Sequence, residues 1–231
     1  MPQIKPQFVE NEIYHIYNRG VEKRDIFLNE NDYLRFIQGL YEFNDENSVT
    51  LQACQKFKER GLIPIFSNIE KMPLVEVLAF CLMPNHYHLL LRQLVENGIP
   101  LFMQKLGSGY AGYFNLVYKR VGSLFQGTYK ARHINNDAYY KIILLYIHLN
   151  SLEFLDFNWK EGGIDNWPRA RKFLEQYKWS SHLDYLGKEN FPKLVNTNFL
   201  SEVFDSVEDY QKSLKEFNQG KIESISHLIL E

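Results

Sequence analysis

The chain has 231 residues, a formal net charge of −2, and 45% apolar and 15% aromatic residues, enough for one sizeable packed domain or for a domain with a C-terminal extension. No apolar run reaches bilayer-spanning length, and residues 1–20 lack the basic-then-apolar pattern of a secretory leader, so neither a membrane partner nor secretion is expected. Cys54 and Cys81 stand in no CxxC spacing and read as buried thiols of a reducing compartment, with a cytoplasmic protein the expectation.

In chain order, "EIYHIY" at 12–17 alternates and is rich in β-formers, so it reads as a strand. "NRGVEKRDIF" follows as a polar connection with Gly20 as its breaker. "NENDYLRFIQGLYEFN" opens on Asn or Asp caps and spaces Tyr33, Ile37, Leu40 and Phe43 as a helix would. Residues 45–73 are less regular: a short helix is predicted at "QACQKFKERG", followed by Pro64 and Pro73. "LVEVLAFCLMPNHYHLLLRQ" reads as two strands joined at Met83-Pro84-Asn85. Pro100 suits the first turn of a helix reaching about Arg120, with Phe102, Leu106, Tyr110, Tyr113 and Val117 as its apolar stripe. "SLFQGTYKARHI" reads as a further strand or hairpin. Asn136 or Asp137 then caps a helix over 138–149.

The order strand, helix, strand, strand, helix, strand, helix predicts an α+β fold. It is a ferredoxin-like antiparallel sheet with helices packed on one face, followed by a mostly helical C-terminal extension. The boundary is expected near residue 150, giving 1–150 as the main domain and 151–231 as an appendage packed on or beside it, with a helix near 207–218.

The near-neutral total hides an uneven distribution. Residues 97–136 contain no Asp or Glu but carry Lys105, Lys119, Arg120, Lys130 and Arg132, whereas residues 151–231 hold 14 acids against 10 bases. A basic central segment of this kind fits phosphate contact, though solvated surface side chains explain it equally well.

In "CLMPNHYHLLLRQL" (81–94), His86 and His88 are two apart on a predicted strand and project from one face, with Leu90 beyond them. Tyr87, Leu89 and Leu91 point the other way. Two imidazoles removed from water each need a partner, and side by side they suit one divalent ion. Tyr139, Ile143, Tyr146 and Asn150 share one face of the 138–149 helix. Periodicity alone does not choose among the seven tyrosines between residues 110 and 146.

"PNHYHLLL", "GSLFQGTYKARHI" and "YIHLNSL" together resemble the single-tyrosine HUH transposases, most closely the IS200-like branch that acts at repetitive extragenic palindromes (REP). "YHIYNRGVEKRDIF" and "YKWSSHLDYLG" are similar to that branch as well, so the resemblance spans most of residues 12–187. It implies that His86 and His88 bind a metal, that Tyr146 is the nucleophile, and that Asn150 completes the metal site. Relatives commonly carry Pro after that Asn; here it is Ser151, which bears on the helix exit more than on the chemistry. The implied cofactor is Mg²⁺ or Mn²⁺, and nitrogen ligands favour the latter.

The implied reaction is nicking and rejoining of single-stranded DNA beside a hairpin, through a 5′-phosphotyrosine that leaves a free 3′-OH. The phenol, with a pKa of about 10, needs a neighbouring cation and a polarised phosphate to attack. Lys105, Lys119, Arg120, Gln126, Tyr129, Lys130 and Arg132 become the candidate DNA contacts, by phosphate pairing or base stacking. Tyr110 and Tyr113 are expected in the core, and His15 and His133 are expected to be structural. A homodimer stays open, because some relatives set the tyrosine helix of one subunit against the histidines of another. The competing readings are a non-catalytic DNA hairpin-binding protein derived from a transposase and a zinc hydrolase of small substrates.

Overall fold

Alternation of large apolar residues with polar ones makes "IYHIYNR" a strand, β1 (Ile13–Arg19). In a computed structural model, which describes residues 6–47, 71–155, 159–191, 193–217, 219–227 and 229, β1 lies in the middle of a four-stranded sheet. Its companions are β2 (Val75–Met83), β3 (His86–Gln93) and β4 (Lys130–Ile134), in the spatial order β2-β3-β1-β4 with every neighbour antiparallel. Helix α1 (Glu30–Glu42) separates β1 from β2, and α2 (Gly98–Val117) separates β3 from β4. This βαββαβ order is the ferredoxin-like one. The short helix expected within 45–73 falls outside the described residues.

Helix α1 begins where its sequence says it should, whereas the strand read within 123–134 forms only over Lys130–Ile134. Asn29 caps α1 by accepting from Asn31 N, and the Asp32 carboxylate returns to the Asn29 N–H as a capping box. Tyr33, Ile37, Leu40 and Phe43 are all buried, as the helical spacing requires. Helix α2 ends at Val117, short of Arg120, and Val117 is exposed; Phe114 takes its place in the stripe after Phe102, Leu106 and Tyr110. The chain exits that helix through Lys119 in the left-handed region (φ +51°). The β2–β3 hairpin turns on Pro84 and Asn85, and the 20–27 segment clasps its tip: Gly20 N donates to Asn85 O at 2.8 Å and Ile26 N to Pro84 O at 2.6 Å. At Gly20 a Cβ would lie 2.2 Å from Arg24 O, so only glycine fits this clasp.

The two sheet faces carry separate cores. Tyr14, Ile16, Phe80, Tyr87, Leu89 and Leu91 face α1 and α2. Ile13, Ala79, Cys81, Leu90 and Ile134 face α3 (Asp137–Leu149) and the C-terminal segments. Helices therefore cover both faces, where the sequence led us to expect one. The reason is that α3 follows the last strand and is apolar nearly all round, so it is stable only when it covers the remaining sheet face.

The region after α3 is helical in short pieces, among them Trp167–Leu174 and Val207–Lys215. It packs on α3 through Trp159, Tyr185, Phe199, Tyr210 and Phe217. A buried polar chain also binds it there. His148 of α3 contacts Ser181 Oγ (2.7 Å) and the Tyr210 hydroxyl (2.7 Å), and Tyr210 contacts His182 Nδ1 (2.6 Å).

Candidate active site

Strand alternation fixes which side chains meet. His86 is paired in register with Arg19 of β1 and Met83 of β2, and His88 with Tyr17 and Cys81. On β4, Lys130 stands opposite Tyr17 and Arg132 opposite His15. The face under α3 therefore carries His15, Tyr17, Arg19, His86, His88, Lys130 and Arg132 together. Tyr87 points to the opposite face, 2% exposed, between Phe36 and Phe125 (ring centroids 5.0 and 5.9 Å).

Both histidines are oriented through Nδ1. His88 Nδ1 lies 2.9 Å from His15 Nε2, and His86 Nδ1 lies 2.6 Å from Asn85 Oδ1. Each imidazole thereby directs Nε2 away from its anchor, as metal-binding histidines do when the other nitrogen is held by a neighbour. Burial holds the His88 pKa well below the ordinary histidine value, reinforced by the nearby His15 and His86, so it is neutral and competent as a ligand.

Helix α3 is started by Asn136, whose side chain accepts from Ala138 N at 2.8 Å. The helix sets the Tyr146 ring edge-on to His88 (centroids 5.7 Å) and to His15 (6.3 Å). Asn150, wholly buried, donates Nδ2 to Tyr146 O at 2.8 Å. Its Oδ1 is buried with no hydrogen-bond partner. An orphaned amide oxygen there requires an explanation, and a cation is a suitable one. Ser151, next along, bonds through its backbone to the thiol of Cys81, the register neighbour of His88. The exit turn therefore lies against β2, the neighbour of the histidine strand. Among the described residues no three His, Cys, Asp or Glu side chains are grouped to hold a metal. The imidazoles of His86 and His88 and the amide oxygen of Asn150 are neutral N and O donors, a donor type that divalent ions accept.

A pocket of about 260 Å³ opens onto the two histidines. Arg19, Lys23, Lys130 and Lys160 line it, and Glu153 is the carboxylate among the described lining residues. Such a cavity concentrates positive potential on whatever anion enters. Tyr146 lies behind the wall, 1% exposed. Residues 8–150 match the family model described as "Transposase IS200 like". The chain belongs to the IS200-like transposase family.

This IS200-like transposase is similar to two solved structures, each at 10% identity. One is described as a REP-associated tyrosine transposase bound to a REP hairpin, with a TM-score of 0.48 over 83% of this chain and 89% of the other. The second is tRNA(His) guanylyltransferase from Saccharomyces cerevisiae, with a TM-score of 0.35 over 100% of this chain and 83% of that one. No curated protein matches the chain. No helix among the described residues is long and apolar enough to cross a membrane.

The DNA contacts expected of this transposase are divided by the fold. Gln126 and Lys130 line the histidine pocket. Tyr129 lines a neighbouring groove of about 410 Å³ between α2 and the 122–129 segment, which shares Asn18 with the pocket. Arg132 lies beside the Tyr17 phenol and favours its ionised form, against a larger effect of burial. Lys105 is elsewhere, donating to Asp45 O (2.6 Å) and Asn47 O (3.1 Å) to fasten the chain after α1. Arg120 is turned back to Asn115 Oδ1 (3.1 Å), and Lys119 follows the end of α2. None of these three lines the pocket, because Lys105 lies on α2 and Lys119 and Arg120 follow its end, and α2 covers the other sheet face. Tyr110 and Tyr113 pack in the core as expected, and His133 stacks on Tyr14 and pairs with Glu12. The spacing gave no reason to select His15, Arg19, Lys23, Glu153 or Lys160. His15 and Arg19 needed the β1–β3 register, and Glu153 and Lys160 come from beyond α3.

Proposed function

We propose that this IS200-like transposase nicks and rejoins single-stranded DNA beside a hairpin, with Tyr146 as the nucleophile and His86, His88 and Asn150 holding Mg²⁺ or Mn²⁺. The observation that carries this reading is the Tyr146 ring against His88, behind a pocket of four cations. All of these residues belong to one chain, so a single copy supplies a complete set. A REP-type hairpin is the substrate class that the motif resemblance favours, and residues 1–150 carry the proposed nucleophile and metal ligands.

In the reaction, the Tyr146 hydroxyl oxygen forms a bond to phosphorus and the bond to O3′ breaks. The phenol gives up one proton and the departing O3′ takes one up, so the step is proton-neutral and its product is a 5′-phosphotyrosine with a free 3′-OH. Reversal by a 3′-OH reseals the strand, and no nucleotide cofactor is consumed. When bound, the divalent ion supplies Lewis-acid neutralisation of a non-bridging phosphate oxygen. Arg19, Lys23 and Lys130 draw the backbone into the pocket and hold it. His15 orients the His88 ring, and the Asn150 amide is held by Tyr146 O on the tyrosine's own helix.

The test is incubation with Mn²⁺ and a labelled hairpin bearing single-stranded flanks. Wild type is expected to give a covalent adduct that survives denaturation, and Tyr146→Phe none. Equal adduct from both proteins removes Tyr146 as the nucleophile. Hairpin binding with no adduct under any divalent ion returns the non-catalytic reading.

A further inference from the structure

Lys160 lies beyond the segment that matches the family, yet it reaches into the pocket. Its Nζ stands 5.7 Å from the centroid of the Tyr146 ring, and it is paired with the Glu153 carboxylate. Both side chains line the cavity with His86 and His88. The backbone beneath Lys160 is anchored: Trp159 is 0% exposed, and its ring lies against Tyr146 and Phe217, both at 5.9 Å. The tip is not anchored in the same way. The Lys160 and Glu153 side chains are 21% and 36% exposed, and an ion pair in that setting is a weak tether on a flexible four-carbon stem.

From this arrangement we infer that Lys160 is the cation that receives the scissile phosphate, and that Glu153 parks it over Tyr146 until DNA arrives. The inference rests on the function proposed above. Its physical basis is competition between anions. Glu153 is a carboxylate in a pocket that also holds Arg19, Lys23 and Lys130, so an entering phosphodiester meets a cationic wall and competes with the Glu153 carboxylate for Lys160. When Lys160 exchanges Glu153 for the phosphate, the phosphate is held by an ammonium that stands 5.7 Å from the Tyr146 ring centroid. No bond is made or broken in this exchange and no proton moves.

The two partners of the pair predict opposite signs, which a merely structural salt bridge does not. The measurement uses the full chain and a single-stranded oligonucleotide with a hairpin, first in EDTA, where binding is read without cleavage, then with Mn²⁺ in single-turnover adduct formation. Lys160→Gln is expected to weaken binding, to make the slope of log K against log salt shallower by about 0.7, the share of one single-strand phosphate, and to slow adduct formation at least tenfold. Lys160→Arg is expected to restore the salt slope and most of the rate. Glu153→Gln, which frees Lys160, is expected to bind several-fold tighter and to form adduct faster than wild type. The inference is overturned if Lys160→Gln leaves binding, salt slope and rate unchanged. It is equally overturned if Glu153→Gln loses as much as Lys160→Gln, since the pair then only holds the backbone. If wild type forms no adduct at all, the proposed function fails, while the salt slope in EDTA still decides whether Lys160 meets a phosphate.

Discussion

His15 and Asn150 show how single atoms define the site. One imidazole on an apolar strand is ordinarily a satisfied core residue, and His15 is wholly buried. What sets it apart is its contact, 2.9 Å from His88 Nδ1, which orients the ring of a proposed ligand. His15→Phe keeps the ring volume and removes that contact. We expect it to raise the Mn²⁺ concentration for half-maximal adduct formation by roughly 10–100-fold, the usual cost of losing a ligand's orienting partner, with little change in DNA binding measured in EDTA. An unchanged Mn²⁺ midpoint would show that His15 only packs. Spacing put Asn150 on the helix face of Tyr146 and the motif resemblance assigned its role, but its orphaned oxygen was not legible, because satisfaction of a polar atom depends on every neighbour in space.

At the scale of elements, alternation on β3 was the most informative feature of the sequence. It put His86 and His88 on one face and Tyr87 on the other, and the fold agrees, with Tyr87 packed among Phe36 and Phe125. Tyr87→Phe is therefore expected to keep adduct formation within about twofold of wild type and to cost on the order of 1 kcal/mol of stability for a lost hydroxyl interaction. A rate loss as severe as that of Tyr146→Phe would reverse this assignment of faces. Helix α3 and its Asn136 cap were equally legible, because caps and periodicity are local. The end of α2 was not: the spacing allowed a helix to Arg120, whereas a left-handed Lys119 turns the chain away after Val117. The lysine and arginine residues of 97–136 form one run in sequence but reach two sides of the sheet. A helix and a strand from one basic segment need not share a surface.

For the molecule as a whole, the C-terminal region is bound to the tyrosine helix by the His148–Tyr210–His182 chain as well as by apolar contact. Burial lowers the His182 pKa to about 3 and holds His148 well below its usual value, so both are neutral in the folded protein. The unfolded chain binds those protons below about pH 6.5. Stability from these groups is therefore fully present above about pH 6.5 and declines as the pH falls from there towards 3. Between pH 7.5 and pH 5, in EDTA, we expect a loss on the order of 2 kcal/mol for each of the two imidazoles, read as a lower urea midpoint. An unchanged midpoint would mean that protonated histidines are accommodated in the fold.

By itself the sequence determined the element order, the histidine strand, the capped tyrosine helix and the spacing of Tyr146 to Asn150. All of these follow from periodicity, capping and short-range motifs, which act over a few residues. Only the tertiary structure decided that α3 lies across the sheet face bearing the histidines, that Arg19 and Lys23 join the pocket, and that Lys160, paired with Glu153, reaches it from beyond α3. Those outcomes depend on strand register and on burial of the second apolar face, which bring together residues as far apart as Tyr17 and Lys160, 143 positions along the chain (160 − 17), on one pocket wall. No local pattern encodes that distance. It is set by the requirement that both faces of a twisted sheet be covered and that each buried polar group find a partner.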